Sequence, residues 1–364
     1  MTSLNLIAEL LIRAQKRIRE IPSLTVNWLR VKVLRADKKI LQLKKGDLGS
    51  FVAIVAVYPG TSTFNSVARV LGMLESNGYS VLIVINENSQ ASRWFEKLSS
   101  AGRTLIVRPN IGADFGAYKC GFDFLRSHRK NLEVVLIAND SLHYTSSCET
   151  GLRPLLEPTS SINCLYLNFQ SVVHAGSMLI KFDSVNLSAD DFWDFWEGYY
   201  CTNSKKRIIK HGEHRLSEIT GVRTFRPITE SFSDVVLPQP TSDHELQLLR
   251  WARRSDKEFF DCYLNLGNDS WRLGFNYGLE NFQVSNSLGL YLANCFDLPI
   301  KMDLLKNGLI SRDACESAMQ TDSDDREESQ ELEDILNRYS YKRDNSLIGK
   351  IKKILNLERL GAQQ

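Results

Sequence analysis

The chain has 364 residues, of which 43 % are hydrophobic, and this size and composition indicate a globular protein with one large domain or two smaller ones. No apolar run approaches the roughly 18 residues that a membrane span requires, and the N-terminal order of charged and apolar residues is not that of a signal peptide. The seven cysteines have no paired spacing, which argues against a disulfide framework or a zinc site and favours reduced thiols in a cytoplasm.

The formal net charge of +2 hides a strong asymmetry along the chain. Between Arg13 and Lys45 there are 11 Lys or Arg and two acids, and the apolar residues of the first 18 positions recur at helical spacing. This pattern predicts a basic amphipathic helix, which either packs on the protein or lies on an anionic membrane surface. Residues 322–334 carry eight acids and one Arg, and a basic amphipathic tail follows. We therefore expect a helical extension over 1–48, a main folded domain over 49–312, and an acidic linker with a C-terminal helix over 313–364.

From residue 51 onward, the sequence predicts buried strands that alternate with helices. The apolar runs 51–57, 80–86, 104–107 and 133–138 have strand length and no polar alternation, and helices are expected from residues 61–63 to 77–78 and around Trp94. Strands that are apolar on both faces are typical of a parallel sheet covered by helices on both sides. We predict an α/β fold with a mostly parallel sheet flanked by helices.

Two loops at the carboxyl ends of predicted strands carry the candidate binding residues. The third strand leads into PNIGADFGAYK, in which Gly112 and Gly116 occupy the start of a helix, and the fourth leads into Asn139-Asp140-Ser141. Glycine there serves either a tight turn or the close approach of a ligand to the backbone, and we favour the ligand. Because ligands in such sheets bind beyond the carboxyl ends of the strands, both loops are candidates for a phosphate-binding rim. Neither GxGxxG nor GxxxGKS is present, so no dinucleotide fold or P-loop is indicated.

The acidic residues of these loops each have a functional and a structural interpretation. Asp140 could hold a divalent ion that carries a diphosphate, or it could cap the next turn. Asp114 could bind a ribose, base or sugar hydroxyl, or be an acid favoured early in a helix. Lys119 could meet a phosphate or lie in solvent.

The later half contains an aromatic helix over 190–200 and a histidine-rich segment, KHGEHRLSE, over 210–218. The aromatic residues fall at helical spacing, which is more typical of a core than of a substrate platform. The spacing of His211 and His214 does not indicate a zinc site, which would require a clearer HxxxH and a third ligand. Glu213 is either a surface carboxylate or a general base, since inverting sugar transfer needs a carboxylate near the acceptor hydroxyl.

The motif NIGADFGAYKCG, followed by an apolar strand and NDS, resembles the rhamnan synthesis protein F family of bacterial polysaccharide assembly. The similarity extends through FQSVVHAGSMLIKF, the FWDFW helix and KHGEHRLSEI to LPIKMDLLKNG at 298–308. The resemblance implies a glycosyltransferase of GT-A-like architecture. It would transfer a sugar such as rhamnose or another deoxyhexose from a nucleotide-diphosphate donor to a glycan such as an O-antigen or a capsule.

The same resemblance assigns roles to residues of this chain. The expected nucleotide-sugar site comprises Asn110, Gly112, Asp114, Gly116, Tyr118, Lys119, Asn139 and Ser141. Asp140 stands where GT-A enzymes place their DxD metal ligand, but Ala138 occupies the first acidic position, so one carboxylate remains for Mg²⁺ or Mn²⁺. Asp140 and Glu213 are the catalytic candidates, although Gly212 precedes Glu213 where the family has a different residue.

These residues and the resemblance support two classes of function. The first is a glycosyltransferase at the inner face of the cell membrane, with a lipid-linked glycan acceptor and an anionic membrane surface as partners. The second is a non-catalytic component of a polysaccharide assembly complex that binds a nucleotide sugar or glycan. No nucleic-acid partner is expected, because the basic N-terminal segment contains no recognised nucleic-acid-binding module.

Overall fold

A computed structural model describes most of the first 228 residues and a few positions beyond them. The described residues are 25, 28, 31, 35–60, 63–99, 102–169, 173–221, 224–228, 282–283, 292–293 and 296–302. The amphipathic helix predicted over the first 18 residues, the acidic segment 322–334 and the basic tail lie outside them.

The elements follow one another in an α/β order. They are β1 (Gln42–Lys44), β2 (Phe51–Val57), α1 (Phe64–Ser76), β3 (Ser80–Asn86), α2 (Ala91–Leu98), β4 (Thr104–Arg108), α3 (Ala113–Leu125), β5 (Val134–Asn139), β6 (Leu142–His143), α4 (Cys148–Leu156), β7 (Cys164–Phe169), β8 (Val173–Phe182), α5 (Ser184–Ser188), α6 (Asp190–Gly198), α7 (Lys205–Ile208), α8 (Arg215–Thr220), β9 (Phe282–Gln283) and β10 (Ile300–Lys301). Short 3-10 helices cover Ala36–Lys38 and Arg126–Asn131, and a π-helical turn covers Ile209–His214.

The described part of the chain forms an eight-stranded sheet in the order β1-β4-β3-β2-β5-β8-β7-β9, and β10 pairs with β6 in a second, two-stranded sheet. The predicted α/β class and its parallel strands flanked by helices are confirmed. The described residues divide into two compact units, the first within 1–59, 80–135 and 183–220 and the second within 60–79, 136–182 and 221–364.

In the first unit, β2, β3 and β4 are parallel, with Val52 opposite Ser80 and Leu82 opposite Thr104. All but the first residue of β2 and β3 are buried, as expected for strands covered on both faces. The strand β1 pairs antiparallel with β4, so residues 42–44 belong to the sheet and not to the helical extension predicted over 1–48. Two of its three side chains are exposed, an arrangement that suits an edge strand rather than a helix.

The aromatic helix α6 packs against α3 in the first unit. Trp196 stacks on Phe122 with ring centroids 4.5 Å apart, and Phe192 meets Phe122 edge to face at 5.2 Å. The predicted core stripe is therefore confirmed for Phe192, Trp196 and Tyr199, whereas Phe195 is only half-buried. Trp193, which the stripe did not include, is also buried and donates its indole N–H to the Leu187 carbonyl at 2.7 Å.

In the second unit, β7 pairs antiparallel with β8 and with β9. The helix α1 packs near α4, and the Ser66 hydroxyl accepts a hydrogen bond from the Tyr144 amide at 2.8 Å. The four described cysteines, Cys120, Cys148, Cys164 and Cys201, are buried and reduced. Within the parts of the chain that the structure describes, no helix combines the length and the apolarity needed to span a membrane.

Candidate functional site

The loop after β4 is held by a buried arginine that no sequence motif indicated. Arg108 is the last residue of β4 and is fully buried. Its guanidinium donates to the Asn86 Oδ1 at 2.8 Å and to the Ile111 carbonyl at 2.7 Å. Burial lowers the pKa of Arg108 from its ordinary value. These bonds tie the end of β3 to the loop and fix the direction in which the chain enters α3.

Gly112 and Gly116 are explained by the packing of this loop. Gly112 caps α3 in the left-handed region with φ 87°, and its N–H donates to the Asn203 Oδ1 at 2.6 Å. A Cβ at Gly112 would lie 2.9 Å from the Cβ of Cys201, and one at Gly116 would lie 2.1 Å from the Ile111 carbonyl oxygen. The preference for ligand approach as the reason for these glycines is therefore corrected, because protein atoms already fill the space beside both of them.

Tyr118 and Lys119 lie in the core of the first unit. The Tyr118 ring is fully buried and contacts Phe115 and Trp196 with ring centroids 5.8 and 6.4 Å apart. The Lys119 ammonium donates to the Trp196 and Glu197 carbonyls at 2.6 and 2.9 Å, at the end of α6. Its donors are directed at protein acceptors, so the structure favours a role in joining α3 to α6 over the predicted contact with a phosphate.

Asn110, in the loop after β4, and Asp114, in α3, are partly exposed, unlike Tyr118 and Lys119. Asp114 lies in the first turn of α3, where a negative charge interacts favourably with the helix dipole. Asn110 precedes the turn in which the Ile111 N–H bonds to the Pro109 carbonyl at 2.8 Å. Both side chains keep the surface position that a binding role requires, and that role stays a prediction.

The Asn139-Asp140-Ser141 segment forms a tight turn in the second unit. The buried Asn139 accepts hydrogen bonds at its Oδ1 from the Ser141 hydroxyl at 2.5 Å and from the Ser141 N–H at 3.2 Å. Both predicted ligand groups therefore act within the turn, while Asp140 between them is partly exposed at the end of the fully buried β5. Both interpretations of Asp140, as a binding residue and as a residue that caps the turn, stay predictions.

The late element LPIKM packs directly behind this turn. β10 pairs antiparallel with β6, with Ile300 opposite His143, and the Met302 N–H donates to the Ser141 carbonyl at 2.8 Å. The structure thus brings together two segments that carry the sequence resemblance and that lie far apart along the chain. The backbone around Asp140 is therefore held by hydrogen bonds within the turn and by the bond from Met302.

His143, two residues beyond this turn, is a buried group that sequence patterns do not reveal. It is completely buried, and neither ring nitrogen has a hydrogen-bond partner among the described residues. Burial, with a smaller contribution from the charge of Arg69, lowers the pKa of His143 to about 4. The imidazole is therefore neutral at physiological pH.

This histidine predicts a specific loss of stability in acid. Between pH 6.5 and about 4 the unfolded chain binds a proton that the folded chain does not, so the free energy of unfolding should fall as the pH is lowered through this window. The expected contribution is at most about 3 kcal/mol. Urea unfolding at pH 6.5 and 4.5 should show a smaller difference for His143→Leu than for the natural chain. The same difference in both proteins would contradict the assignment.

Glu213 lies in the π-helical turn Ile209–His214, a conformation that was not predicted from the sequence. Its neighbour Gly212 packs against the ring of Phe115, where a Cβ would lie 2.8 Å from the ring carbons. The histidine-rich segment is thus packed on the first turn of α3, within the same unit as the loop after β4. Glu213 is partly exposed, and its charge adds to the effects of burial and of Cys201 that raise the pKa of Tyr199.

The donor groups in the described part of the chain set limits on metal binding. No three His, Cys, Asp or Glu side chains come together there in a group that could hold an ion. The single carboxylate of Asp140 does not build a resident metal cage. It does fit an ion that arrives with a diphosphate, because Mg²⁺ is commonly held by one or two carboxylates together with substrate phosphates and water.

Comparisons with known proteins give limited similarity. No family model matches the chain. A curated relative from Sinorhizobium fredii (strain NBRC 101917 / NGR234), described as "Uncharacterized protein y4gN", is 26 % identical over 230 residues, and the alignment covers 59 % of this chain and 59 % of the relative. Among solved structures, 4-diphosphocytidyl-2C-methyl-D-erythritol synthase matches with a TM-score of 0.29 and 12 % identity, over 49 % of this chain and 86 % of that one.

Proposed function

We propose that this chain is a glycosyltransferase that uses a nucleotide-diphosphate sugar as its donor and a lipid-linked or growing cell-surface polysaccharide as its acceptor. The observation that carries the proposal is the position of Asp140. This carboxylate is partly exposed at the carboxyl end of the buried strand β5. The side chains of its two sequence neighbours are joined by a hydrogen bond from the Ser141 hydroxyl to the Asn139 Oδ1.

The position of Asp140 suits the binding of a sugar nucleotide for two reasons. Ligands of α/β sheets bind beyond the carboxyl ends of the strands, which is where β5 delivers this side chain. In addition, the backbone on its far side is fixed by the bond from the Met302 N–H to the Ser141 carbonyl at 2.8 Å. A backbone that is already fixed loses little freedom when a substrate binds.

A divalent ion bound to the donor phosphates would find its protein ligand in Asp140. When bound, such an ion neutralises the diphosphate and stabilises its charge as it leaves the sugar. In the transfer itself, an acceptor hydroxyl oxygen forms a bond to the anomeric carbon, and the bond from that carbon to the phosphate oxygen breaks with its electron pair. The hydroxyl proton passes to a general base.

The proposal is tested by turnover of candidate sugar nucleotides with the purified chain and a glycan acceptor. Release of nucleoside diphosphate that depends on the acceptor is the expected result. Donor binding without release would instead support the non-catalytic alternative, and the absence of both would overturn the proposal. Attachment to the membrane face through the basic N-terminal segment is part of the same proposal. The amphipathic helix predicted over the first 18 residues of that segment lies outside the described residues.

Asp140→Asn should reduce this turnover by about 10- to 100-fold with little change in stability, because the amide keeps the shape of the side chain and removes its charge. Thermal melting should therefore be close to that of the natural chain. The exposed Asp47 provides a matched control, since Asp47→Asn makes the same chemical change elsewhere on the surface. Full turnover in Asp140→Asn would contradict the binding role and leave Asp140 only its structural role in the turn.

A further inference from the structure

A cleft of about 330 Å³ opens on the surface of the first unit, between the end of α6 and the helical segment from α7 to α8. We name it the α6–α8 cleft, and the residues that matter for its chemistry are Phe195, Tyr199, Tyr200, Arg207, His211 and Arg215. Its volume is within the range of small-molecule sites, at the lower end. Neither the loop after β4 nor the Asn139–Ser141 turn contributes to its lining.

The basic side chains of the cleft come from one helical segment. Arg207, His211 and Arg215 follow one another at intervals of four residues, and all three line the cleft. None of the ion pairs formed among the described residues includes Arg207. The Arg215 guanidinium pairs with the Glu218 carboxylate at 2.9 Å. Among the described residues, Arg207 is therefore outside any ion pair, whereas the charge of Arg215 is already partly neutralised by Glu218.

Aromatic residues form another part of the lining. Phe195 and Tyr200 are partly exposed, and Tyr199 is 6 % exposed, with a buried hydroxyl that has no hydrogen-bond partner among the described residues. Aromatic rings present a flat apolar face with polar groups at the edge, which suits the apolar face of a sugar ring.

The charge balance of the lining defines the ligand further. Asp194 also lines the cleft and Glu218 pairs with Arg215, so these two carboxylates match the two positive charges of the arginines. A ligand with several negative charges, such as a nucleoside diphosphate, would meet repulsion from these carboxylates. One phosphate or carboxylate can be held by Arg207, because guanidinium groups form strong paired hydrogen bonds with such anions.

We propose that the α6–α8 cleft binds an anionic sugar, with its ring against Phe195 and Tyr200 and its single acidic group at Arg207. The acidic group is a phosphate or a carboxylate. In a chain that transfers sugars, this cleft is the place for an acidic unit of the acceptor glycan. The binding itself does not depend on the proposed transfer reaction, so the two can fail separately.

The test is calorimetric titration of the full chain with four probes, in the absence of any sugar nucleotide. The probes are glucose 6-phosphate, glucuronate, neutral glucose and inorganic phosphate. We expect at least one of the two anionic sugars to bind about tenfold more tightly than both glucose and phosphate, and the one that does identifies the acidic group. Equal affinity for glucose, or no binding of either anionic sugar, would overturn the proposal.

A pair of neighbouring variants then locates the binding. Arg207→Gln should weaken the anionic sugar about tenfold, while Lys206→Gln, an exposed residue of α7 that does not line the cleft, should leave the affinity unchanged. An equal loss in both variants would show general attraction to a basic surface and contradict a specific site. Competition by a nucleoside diphosphate would contradict the separation of this cleft from the donor.

Discussion

Replacing Gly116 with Val should destabilise the whole first unit and should not cause a selective loss of donor binding. A Cβ at this position would lie 2.1 Å from the Ile111 carbonyl oxygen and 2.9 Å from both terminal nitrogens of Arg108. Backbone cannot move away as the end of a flexible side chain can, and overpacking of this kind costs about 3 kcal/mol or more. The melting temperature should fall by about 6–12 °C.

The size of this effect follows from the role of Arg108. Its guanidinium fills the space beside Gly116 because it bonds to both Asn86 and the Ile111 carbonyl. A larger side chain must displace these bonds and leave a buried cation with fewer acceptors, which is among the most costly changes in a protein interior. Any loss of donor binding in Gly116→Val would therefore accompany unfolding.

Thermal melting and donor titration of the same preparation distinguish the two explanations. Gly72→Ala is the matched control, since Gly72 lies within α1 and a Cβ there would meet no atom within 4 Å. That change should leave the melting temperature unchanged or raise it slightly, because alanine is favoured over glycine inside a helix by about 1 kcal/mol. Lost donor binding in Gly116→Val at an unchanged melting temperature would restore the explanation by ligand approach.

The central strands of the sheet could be predicted from sequence because each is a continuous apolar run. Burial on both faces requires unbroken apolar runs, and β2 and β3 follow their predicted bounds, 51–57 and 80–86, without error. β1 was missed because QLK has no apolar pattern of its own and gains its structure from pairing with β4. Edge strands of this length depend on their neighbour, so local sequence carries little information about them.

The candidate site was predicted less completely, since a residue type does not show which way a side chain is directed. Asp140 and Asp114 are partly exposed, in agreement with a binding role, whereas Lys119 was expected either at a phosphate or in solvent and is buried. Arg108 gave no signal, because an arginine at the end of an apolar strand is equally typical of a solvated residue. Long-range hydrogen bonds such as these are determined by packing and not by spacing in the sequence.

The burial of Lys119 leads to the second large effect, which we expect for Lys119→Met. The ammonium donates to the Trp196 and Glu197 carbonyls and pairs with the Asp123 carboxylate at 3.4 Å. Methionine fills a similar volume and makes none of these bonds, so two carbonyl groups at the end of α6 lose their donor. The expected loss is about 2–4 kcal/mol in the free energy of unfolding.

Urea unfolding and donor titration together separate a structural lysine from one that binds phosphate. Lys130→Met makes the same change at an exposed residue of the 3-10 helix Arg126–Asn131 and should leave both measurements unchanged. Selective loss of donor affinity in Lys119→Met, with unfolding like that of the control, would place the ammonium at the ligand. We expect the reverse, because an ammonium that leaves the Trp196 and Glu197 carbonyls to meet a phosphate would strand two acceptors in the core.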